Sequence, residues 1–192
     1  MSPPLQLRFV MSATRRAALP EAVAEVAVVG RSNVGKSWLI NALANRRDLA
    51  RVSKTPGRTQ LLNLYDVAGG QGSLVDLPGY GYAAVPGRTR ATWPAMIEGY
   101  LLEREHLVLT LVLVDAEVGP TKLDVQTLDW FRGHGLAHAV VATKHDKVKA
   151  SLRQRRKAEL LAGCEEPVAA WTSAAKGTGI DELRLLLRSR LA

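Results

Sequence analysis

Short apolar runs alternate along this chain with longer stretches in which apolar residues recur at helical spacing. Four to eight consecutive aliphatic residues between turn residues are typical of a buried strand, whereas spacings of three and four predict a helix. We expect strands at residues 23–30, 61–67, 73–76, 107–115, 140–143 and 168–172. We expect helices at residues 36–45, 94–104, 123–132, 152–162 and 180–191.

This alternation predicts an α/β fold. Continuous Val, Leu and Ile runs indicate strands buried on both faces, which is typical of a parallel sheet covered by helices. We therefore expect three layers, with a mostly parallel sheet of about six strands between two layers of helices. The chain shows no repeats or linkers, so one domain is expected over residues 1–192, with residues 1–22 as a short N-terminal extension.

The location predicted for the protein is the cytoplasm, away from any membrane. The longest apolar run, residues 107–114, is far shorter than the roughly 20 residues that a membrane-spanning helix needs. The first residues lack the apolar core of a signal peptide. Cys164 is the single cysteine, so no internal disulfide can form and a reducing compartment is expected.

The net charge of +8 bears on partners rather than on the fold. A strongly basic protein is attracted to polyanions such as nucleic acid. Seven Lys and Arg residues lie between positions 144 and 157, and five more lie between positions 46 and 58. A solvated helix face would give the same pattern, so charge alone leaves RNA contact and ordinary solubility as alternatives.

The residues after the first predicted strand match the pattern G-x-x-x-x-G-K-[ST]. They read GRSNVGKS, residues 30–37, and open a predicted helix. Glycines let successive N–H groups and the helix N-terminus face a phosphate group. Lys36 would then reach the β- and γ-phosphates, and the Ser37 hydroxyl would ligate Mg²⁺. A glycine turn that binds nothing is the alternative, but the strand before and the helix after favour a P-loop.

A second motif, Asp76-Leu77-Pro78-Gly79, ends a strand about 40 residues later. An Asp there can hold Mg²⁺ through water, and a glycine N–H can approach a γ-phosphate closely. The polar loop between the two motifs is long enough to order on the γ-phosphate and relax after hydrolysis. One of its threonines should be the second Mg²⁺ ligand, and chemistry alone leaves Thr55 and Thr59 open.

A third motif follows the strand at residues 140–143. Thr143-Lys144-His145-Asp146 resembles the [NT]-K-x-D box that reads guanine. The Asp146 carboxylate can accept hydrogen bonds from N1 and the 2-amino group of guanine, and adenine would leave it unpaired. Residues 172–177, TSAAKG, follow the last strand and can offer backbone N–H groups to the guanine O6.

These motifs, in this order, resemble a translation-factor-type GTPase domain, and the residues around them are similar to the EngB family. The resemblance lies in GRSNVGKSWLINAL, SKTPGRTQLLNLY, LVDLPGYGYA, LVDAEVGPTKLDVQTLDW and GIDELR, and covers nearly the whole chain. It implies a P-loop NTPase G domain with GTPase activity that aids assembly of the large ribosomal subunit and is needed for normal cell division and septation. Trp38 departs from the family pattern, which usually has a small polar residue there.

The resemblance also assigns roles to residues of this chain, with Thr59 as the second Mg²⁺ ligand and residues 57–61 as the switch segment. Lys36, Thr59 and Gly79 are the expected catalytic residues, and Ser37, Thr59 and, through water, Asp76 are the expected Mg²⁺ residues. The expected nucleotide-binding residues are Gly30, Arg31, Ser32, Asn33, Val34, Gly35, Lys36, Ser37, Gly57, Arg58, Thr59, Gln60, Leu61, Asp76, Leu77, Pro78, Gly79, Thr143, Lys144, His145, Asp146, Thr172, Ser173 and Ala174.

Hydrolysis is expected to be slow and the protein to be a monomer. Small GTPases commonly place a water-orienting Gln after D-x-x-G, where this chain has Tyr80. Asn33 resembles the P-loop residue that holds K⁺ in potassium-activated GTPases, which makes K⁺ a second candidate cation beside Mg²⁺; otherwise Asn33 only shapes the loop. The alternative functions are an RNA-binding module gated by nucleotide and a P-loop ATPase or kinase, and Asp146 argues against the last.

Overall fold

This computed structural model describes residues 2–51, 61–68, 72–80 and 95–191. The strands are β1 (Leu7–Ala13), β2 (Glu25–Gly30), β3 (Leu62–Val67), β4 (Ser73–Asp76), β5 (Leu107–Asp115), β6 (His138–Thr143) and β7 (Val168–Trp171). The helices are α1 (Lys36–Leu43), α2 (Ala95–Glu103), α3 (Lys122–Gly133), α4 (Arg153–Cys164) and α5 (Ile180–Leu191). Pro94, expected in the first turn of α2, lies outside the described residues.

The strands form one sheet in the order β1-β3-β4-β2-β5-β6-β7. The pairs β1–β3 and β3–β4 are antiparallel, and the other four neighbouring pairs are parallel. The mostly parallel sheet is therefore confirmed, with seven strands in the described residues where about six were expected. The additional strand, β1, comes from the stretch expected to be an extension. Its apolar run, residues 9–11, is only three residues long and largely exposed, so it is shorter than the run that indicates a buried strand.

The apolar residues of β5 divide the core into two layers. Leu109, Leu111 and Leu113 belong to a cluster with α1 and α5, whereas Val112 and Val114 belong to one with α2, α3 and α4. Side chains alternate between the faces of a strand, so a continuous aliphatic run serves both layers. This arrangement confirms the three layers predicted from the sequence.

The parallel strands bring their carboxyl ends to one edge of the sheet. The residues at these ends are Gly30 of β2, Asp76 of β4, Asp115 of β5, Thr143 of β6 and Trp171 of β7. Ligands of open α/β sheets bind at this edge, beyond the ends of the strands. The predicted motifs that follow β2, β4, β6 and β7 are therefore neighbours in space.

A buried arginine connects α5 to α1. The Arg184 guanidinium donates hydrogen bonds to the carbonyl oxygens of Leu43 (3.0 Å) and Ala42 (2.9 Å), near the end of α1. The last carbonyls of a helix have no partner within the helix. Arg184 therefore adds donors from α5 to these two carbonyls, which also accept from the N–H groups of Leu5 and Asn45.

Within the described residues, no helix combines the length and apolar character needed to cross a bilayer.

Candidate functional site

The P-loop, residues 30–37, curves tightly at the end of β2 and leads into α1. Asn33 (φ 66°) and Gly35 (φ 107°) have left-handed backbone conformations, which Asn and Gly adopt most readily. Gly30 lies so close to β5 that a Cβ atom there would be 3.0 Å from the Leu113 Cβ. Gly35 precedes the first residue of α1, and no side chain caps that helix. Because the first N–H groups of a helix have no partner within the helix, this N-terminus is suited to an anion.

The Lys36 ammonium and the Asp76 carboxylate meet beside the P-loop. Lys36 Nζ lies 3.3 Å from Asp76 Oδ1. Within the described residues this oxygen accepts no well-formed hydrogen bond, although it is buried. Burial raises the pKa of Asp76 above its usual value, and Lys36 only partly opposes the shift. The site thus holds a desolvated carboxylate oxygen that a cation would stabilise.

Gly79 packs directly on the P-loop backbone. The Tyr80 N–H donates to the Gly30 carbonyl, and the Ser32 N–H donates to the Tyr80 carbonyl, both at 3.2 Å. A Cβ atom on Gly79 would lie 3.1 Å from the Ser32 nitrogen, closer than ordinary van der Waals contact. Glycine is needed at position 79 because two backbones approach each other there.

The Tyr80 side chain is buried and is hydrogen-bonded to α3. Its hydroxyl donates to Asp124 Oδ1 at 2.9 Å, and Arg31 Nε lies 3.2 Å from Asp124 Oδ2. Asp124 Oδ2 also accepts hydrogen bonds from the N–H and hydroxyl of Thr121, the N-cap of α3. Burial and the neighbouring Asp124 carboxylate raise the pKa of Tyr80 well above its usual value. Tyr80 is therefore a neutral anchor that connects the P-loop, the D-x-x-G segment and α3.

The residues after β6 cover the other side of the P-loop. The Thr143 hydroxyl donates to the Val34 carbonyl at 2.7 Å. Lys144 has a left-handed backbone (φ 54°), and its ammonium binds Asp115 Oδ2 at 2.6 Å. A Cβ atom on Gly35 would lie 4.0 Å from Lys144 Cε. The stem of Lys144 thus extends across the P-loop, and Asp115 holds its charged end.

The loops after β6 and β7 are joined by backbone hydrogen bonds. The His145 N–H donates to the Thr172 carbonyl at 3.0 Å, and the Thr172 N–H donates to the Ala142 carbonyl at 2.7 Å. The His145 ring meets the Trp171 ring edge to face, with centroids 5.7 Å apart. Burial lowers the pKa of His145, and nearby Arg153 and Lys157 lower it further. His145 is therefore a neutral packing residue at physiological pH.

These loops enclose a cavity of about 220 Å³ at the carboxyl edge of the sheet. It is lined by Gly35, Trp38, Leu39, Thr143, Lys144, Asp146, Lys147, Thr172, Ala174 and Ala175. Among the described residues that line it, Asp146 is the one carboxylate, so a base that enters edge-on would meet an acceptor. The predicted phosphate, metal and base residues that the structure describes thus occupy one continuous site.

The structure leaves some predicted site residues untested and adds others. Gly57, Arg58, Thr59 and Gln60 lie outside the described residues, and Leu61 lies directly before β3. Leu77 and Pro78 are buried between Asp76 and Gly79. Trp38 in the cavity wall, Asp115 under Lys144 and Asp124 under Tyr80 were not predicted. Asp115 could have been predicted from the sequence, because an acidic residue that ends the central strand must lie at the same edge of the sheet as the motifs.

Known proteins are similar to this chain in sequence. A family model described as a 50S ribosome-binding GTPase matches residues 25–144. The probable GTP-binding protein EngB of Pelotomaculum thermopropionicum is 51% identical over 146 residues, which cover 76% of this chain and 73% of that protein. The corresponding EngB of Tolumonas auensis is 44% identical over 188 residues, covering 95% of this chain and 88% of that protein.

Solved structures agree on the fold. A crystal structure of a probable GTP-binding protein EngB superimposes with a TM-score of 0.64 at 23% identity, covering 87% of this chain and 100% of that one. The structure of Era in complex with MgGDPNP and a segment of 16S ribosomal RNA gives a TM-score of 0.62 at 24% identity, covering 89% of this chain and 57% of that one. At such identities the likeness establishes the shared fold.

The desolvated Asp76 carboxylate leads to a prediction for the protein without nucleotide. A raised pKa means that the fold disfavours the ionised form relative to the unfolded chain, so this charge lowers stability at neutral pH. Asp76→Asn should therefore raise the melting temperature at pH 7, by about 2–4 °C for each kcal/mol gained in a domain of this size.

The matched control for that measurement is Asp66→Asn. Asp66 is partly exposed and pairs with the exposed Arg8 at 3.5 Å, so its replacement should change stability by less than about 0.5 kcal/mol. Thermal unfolding followed by circular dichroism compares the two variants. A lower melting temperature for Asp76→Asn would contradict the prediction.

Proposed function

Since the chain belongs to the EngB family of GTP-binding proteins, we propose that it is a Mg²⁺-dependent GTP switch and a slow GTPase that assists assembly of the large ribosomal subunit. It would act as a cytoplasmic monomer and be needed for normal cell division and septation. The observation that carries the proposal is the meeting of the P-loop, the Asp76 carboxylate and the Asp146 cavity at one edge of the sheet. These groups suit the phosphates, the metal and the base of one nucleotide.

The residues around Asp76 suit Mg²⁺ by their chemistry. Mg²⁺ prefers oxygen ligands and keeps several water molecules. The Ser37 hydroxyl and the unsatisfied Asp76 oxygen are such donors, with Asp76 acting through water and Thr59 as a further proposed ligand. When bound, Mg²⁺ would neutralise charge on the β- and γ-phosphates. Lys36, now 3.3 Å from Asp76, is near enough to exchange that partner for a phosphate group.

The catalytic contribution of this chain would be mainly positional. Lys36, the Gly79 N–H and the α1 N-terminus would hold the γ-phosphate, and Thr59 would complete the switch. The Tyr80 hydroxyl is held by Asp124, so it is not available to orient the attacking water. Position 80 carries Tyr where a water-orienting Gln would stand, and Arg58 is only a weak candidate for an arginine finger, so GTP turnover should be slow.

Base recognition gives the first test. In Asp146→Asn an amide donor faces the two N–H donors of guanine, so each loses its partner at about 1–3 kcal/mol. GTP affinity should fall about 100-fold or more. Xanthine has a carbonyl at C2, which that amide could bind, so the variant should prefer XTP to GTP.

Calorimetric titration of wild type and variant with GTP, XTP and ATP measures this change. Asp129→Asn is a suitable control, because Asp129 is exposed on α3 and outside the cavity lining. Unchanged GTP affinity in Asp146→Asn, or tight ATP binding by the wild type, would refute the assignment.

Potassium dependence gives the second test. Asn33 is exposed in the P-loop, where its amide oxygen could hold K⁺ beside the phosphates and stabilise the charge that develops on the transferring group. Its left-handed backbone (φ 66°) offers a purely structural reason for the same residue. Asn33→Gly separates the two roles, since glycine keeps the conformation and removes the amide.

GTP turnover should be about tenfold faster in KCl than in NaCl, which corresponds to about 1.4 kcal/mol of barrier. Asn33→Gly should bind GTP normally and hydrolyse it at the sodium rate in both salts. Equal wild-type rates at the same ionic strength, or a potassium effect that survives in Asn33→Gly, would exclude this role.

The proposed ribosome contact rests on the basic surface of α4 and the turn before it. Lys149, Arg153, Arg155 and Lys157 are exposed there. Arg155 pairs with Glu159 at 2.7 Å while remaining exposed, whereas Arg156 is mostly buried and donates to the Val118 carbonyl. Lys144 and Lys147 pair with Asp115 and Glu117. The family model's description as 50S ribosome-binding supports a ribosomal partner.

Charge reversal gives the third test. If these side chains meet RNA phosphates, association with large subunits should weaken steeply with salt through counterion release. Changing Lys149 and Arg155 to Glu should weaken association and flatten the slope of log K against log salt by about 2, without affecting GTP binding. The pair Lys122→Glu and Arg190→Glu makes the same charge change on α3 and α5. Salt-insensitive association, or equal effects of both pairs, would contradict an RNA contact at α4.

A nucleotide-gated RNA-binding module is the second candidate function. The basic α4 surface favours it as much as it favours a GTPase that resets after hydrolysis. The two differ in turnover, because large subunits should accelerate GTP hydrolysis only if resetting is part of the function. GTP hydrolysis measured with and without large subunits therefore distinguishes them.

A further inference from the structure

The Trp38 indole is exposed beside the P-loop. Trp38 lies in the first turn of α1, between Ser37 and the buried Leu39. The relative exposure of Trp38 is 59%, whereas Trp130 and Trp171 are partly buried. A large apolar ring left in water forgoes the free energy of burial, about 25 cal/mol for each Å². A surface of this kind is informative when it faces a site, because a ligand can supply the missing contact.

The indole lines the same cavity as the predicted base-reading residues. Trp38 and Leu39 of α1 contribute to the lining together with Lys144, Asp146 and Ala174. The wall of this cavity is therefore partly aromatic, beside the carboxylate that would bind the edge of a base. The Lys144 ammonium is held by Asp115 at 2.6 Å, so its position is fixed and the stem can serve as another wall.

We propose that Trp38 is a nucleotide-binding residue that packs its indole against the purine and ribose of the bound guanine nucleotide. This inference rests on the proposed function and adds a residue to its site. An aromatic ring attracts the face of any base, because every base has a π-face, whereas hydrogen bonds to the edge distinguish one base from another. Trp38 thus supplies affinity, and Asp146 supplies selectivity.

These separate roles of Trp38 and Asp146 predict different effects on the relative affinities for GTP, GDP and XTP. Loss of the indole weakens GTP, GDP and XTP by the same factor, so their ratios stay as in the wild type. Loss of the Asp146 carboxylate changes the ratios. A change that merely disturbed the fold of the P-loop would instead weaken triphosphate and diphosphate by different factors, because it would alter the phosphate contacts.

The test uses Trp38→Ser and Trp38→Phe in nucleotide-stripped protein, with calorimetric titration of GDP, GTP and XTP. Trp38→Ser should raise every Kd by about tenfold, within the range that base stacking contributes. Trp38→Phe keeps a ring and should stay within about threefold of the wild type. Leu185→Ser removes a similarly exposed apolar side chain from α5 and should leave every Kd unchanged.

Tryptophan fluorescence provides a second readout. GDP covers the indole in wild type, so emission should change on binding. The change should be largely lost in Trp38→Phe, although Trp93, Trp130 and Trp171 remain. This measurement stays decisive if Trp38→Ser fails to fold.

Wild-type affinity in Trp38→Ser, or a full fluorescence change in Trp38→Phe, would overturn the role of Trp38 and leave the proposed function intact. That result would mean that the indole faces something other than the nucleotide. No binding of GTP or GDP by the wild type would overturn both proposals.

Discussion

The P-loop backbone is hydrogen-bonded on both sides to the motifs that surround it. On one side, the backbone of Tyr80 pairs with Gly30 and Ser32 and extends the alignment of β2 and β4 beyond the ends of these strands. On the other side, the Thr143 hydroxyl binds the Val34 carbonyl. The three predicted contact regions for phosphate, metal and base are therefore parts of one hydrogen-bonded unit. The geometry of this unit depends on the strand order of the sheet, which places β4 beside β2 and β6 beside β5.

The buried carboxylate of Asp124 connects this hydrogen-bonded unit to α3. The Asp124 carboxylate is fully buried and receives hydrogen bonds or ion pairs from Arg31, Tyr80 and Thr121. A buried carboxylate is strongly destabilising when it loses its partners. Tyr80 can therefore move away from the P-loop only by breaking its hydrogen bond to Asp124 or by moving the start of α3 with it. The segment that follows Gly79 is thereby connected to the helix that also pairs with Arg31 of the P-loop.

The sequence predicts those parts of the structure that depend on local pattern. The mostly aliphatic run of β5 indicates a central strand with helices on both faces, and residues 30–37 contain their own turn, helix start and lysine. The structure also contains a capping box at the start of α3, formed by Thr121 and Asp124, which was not predicted although the T-x-x-D pattern is typical of one. The contact of Asp124 with Tyr80 could not be predicted, because 44 residues separate them and only the register of the folded sheet brings them together. β1 was missed for a related reason, since its pairing with β3 rather than its own apolar pattern makes it a strand.

The contact of Arg184 with the end of α1 has a consequence for when the protein becomes able to bind nucleotide during its synthesis. A ribosome makes α1 early and α5 after every other helix and strand described here. Until α5 leaves the ribosome exit tunnel, the carbonyl groups of Ala42 and Leu43 lack the hydrogen bonds from Arg184, and the apolar face of α1 lacks Leu183 and Leu187. The helix that carries Lys36 therefore receives its last packing contacts after the other elements have been made, although it is the first α-helix of the chain. A nascent chain should therefore become able to bind nucleotide only after α5 has been made and has packed on α1.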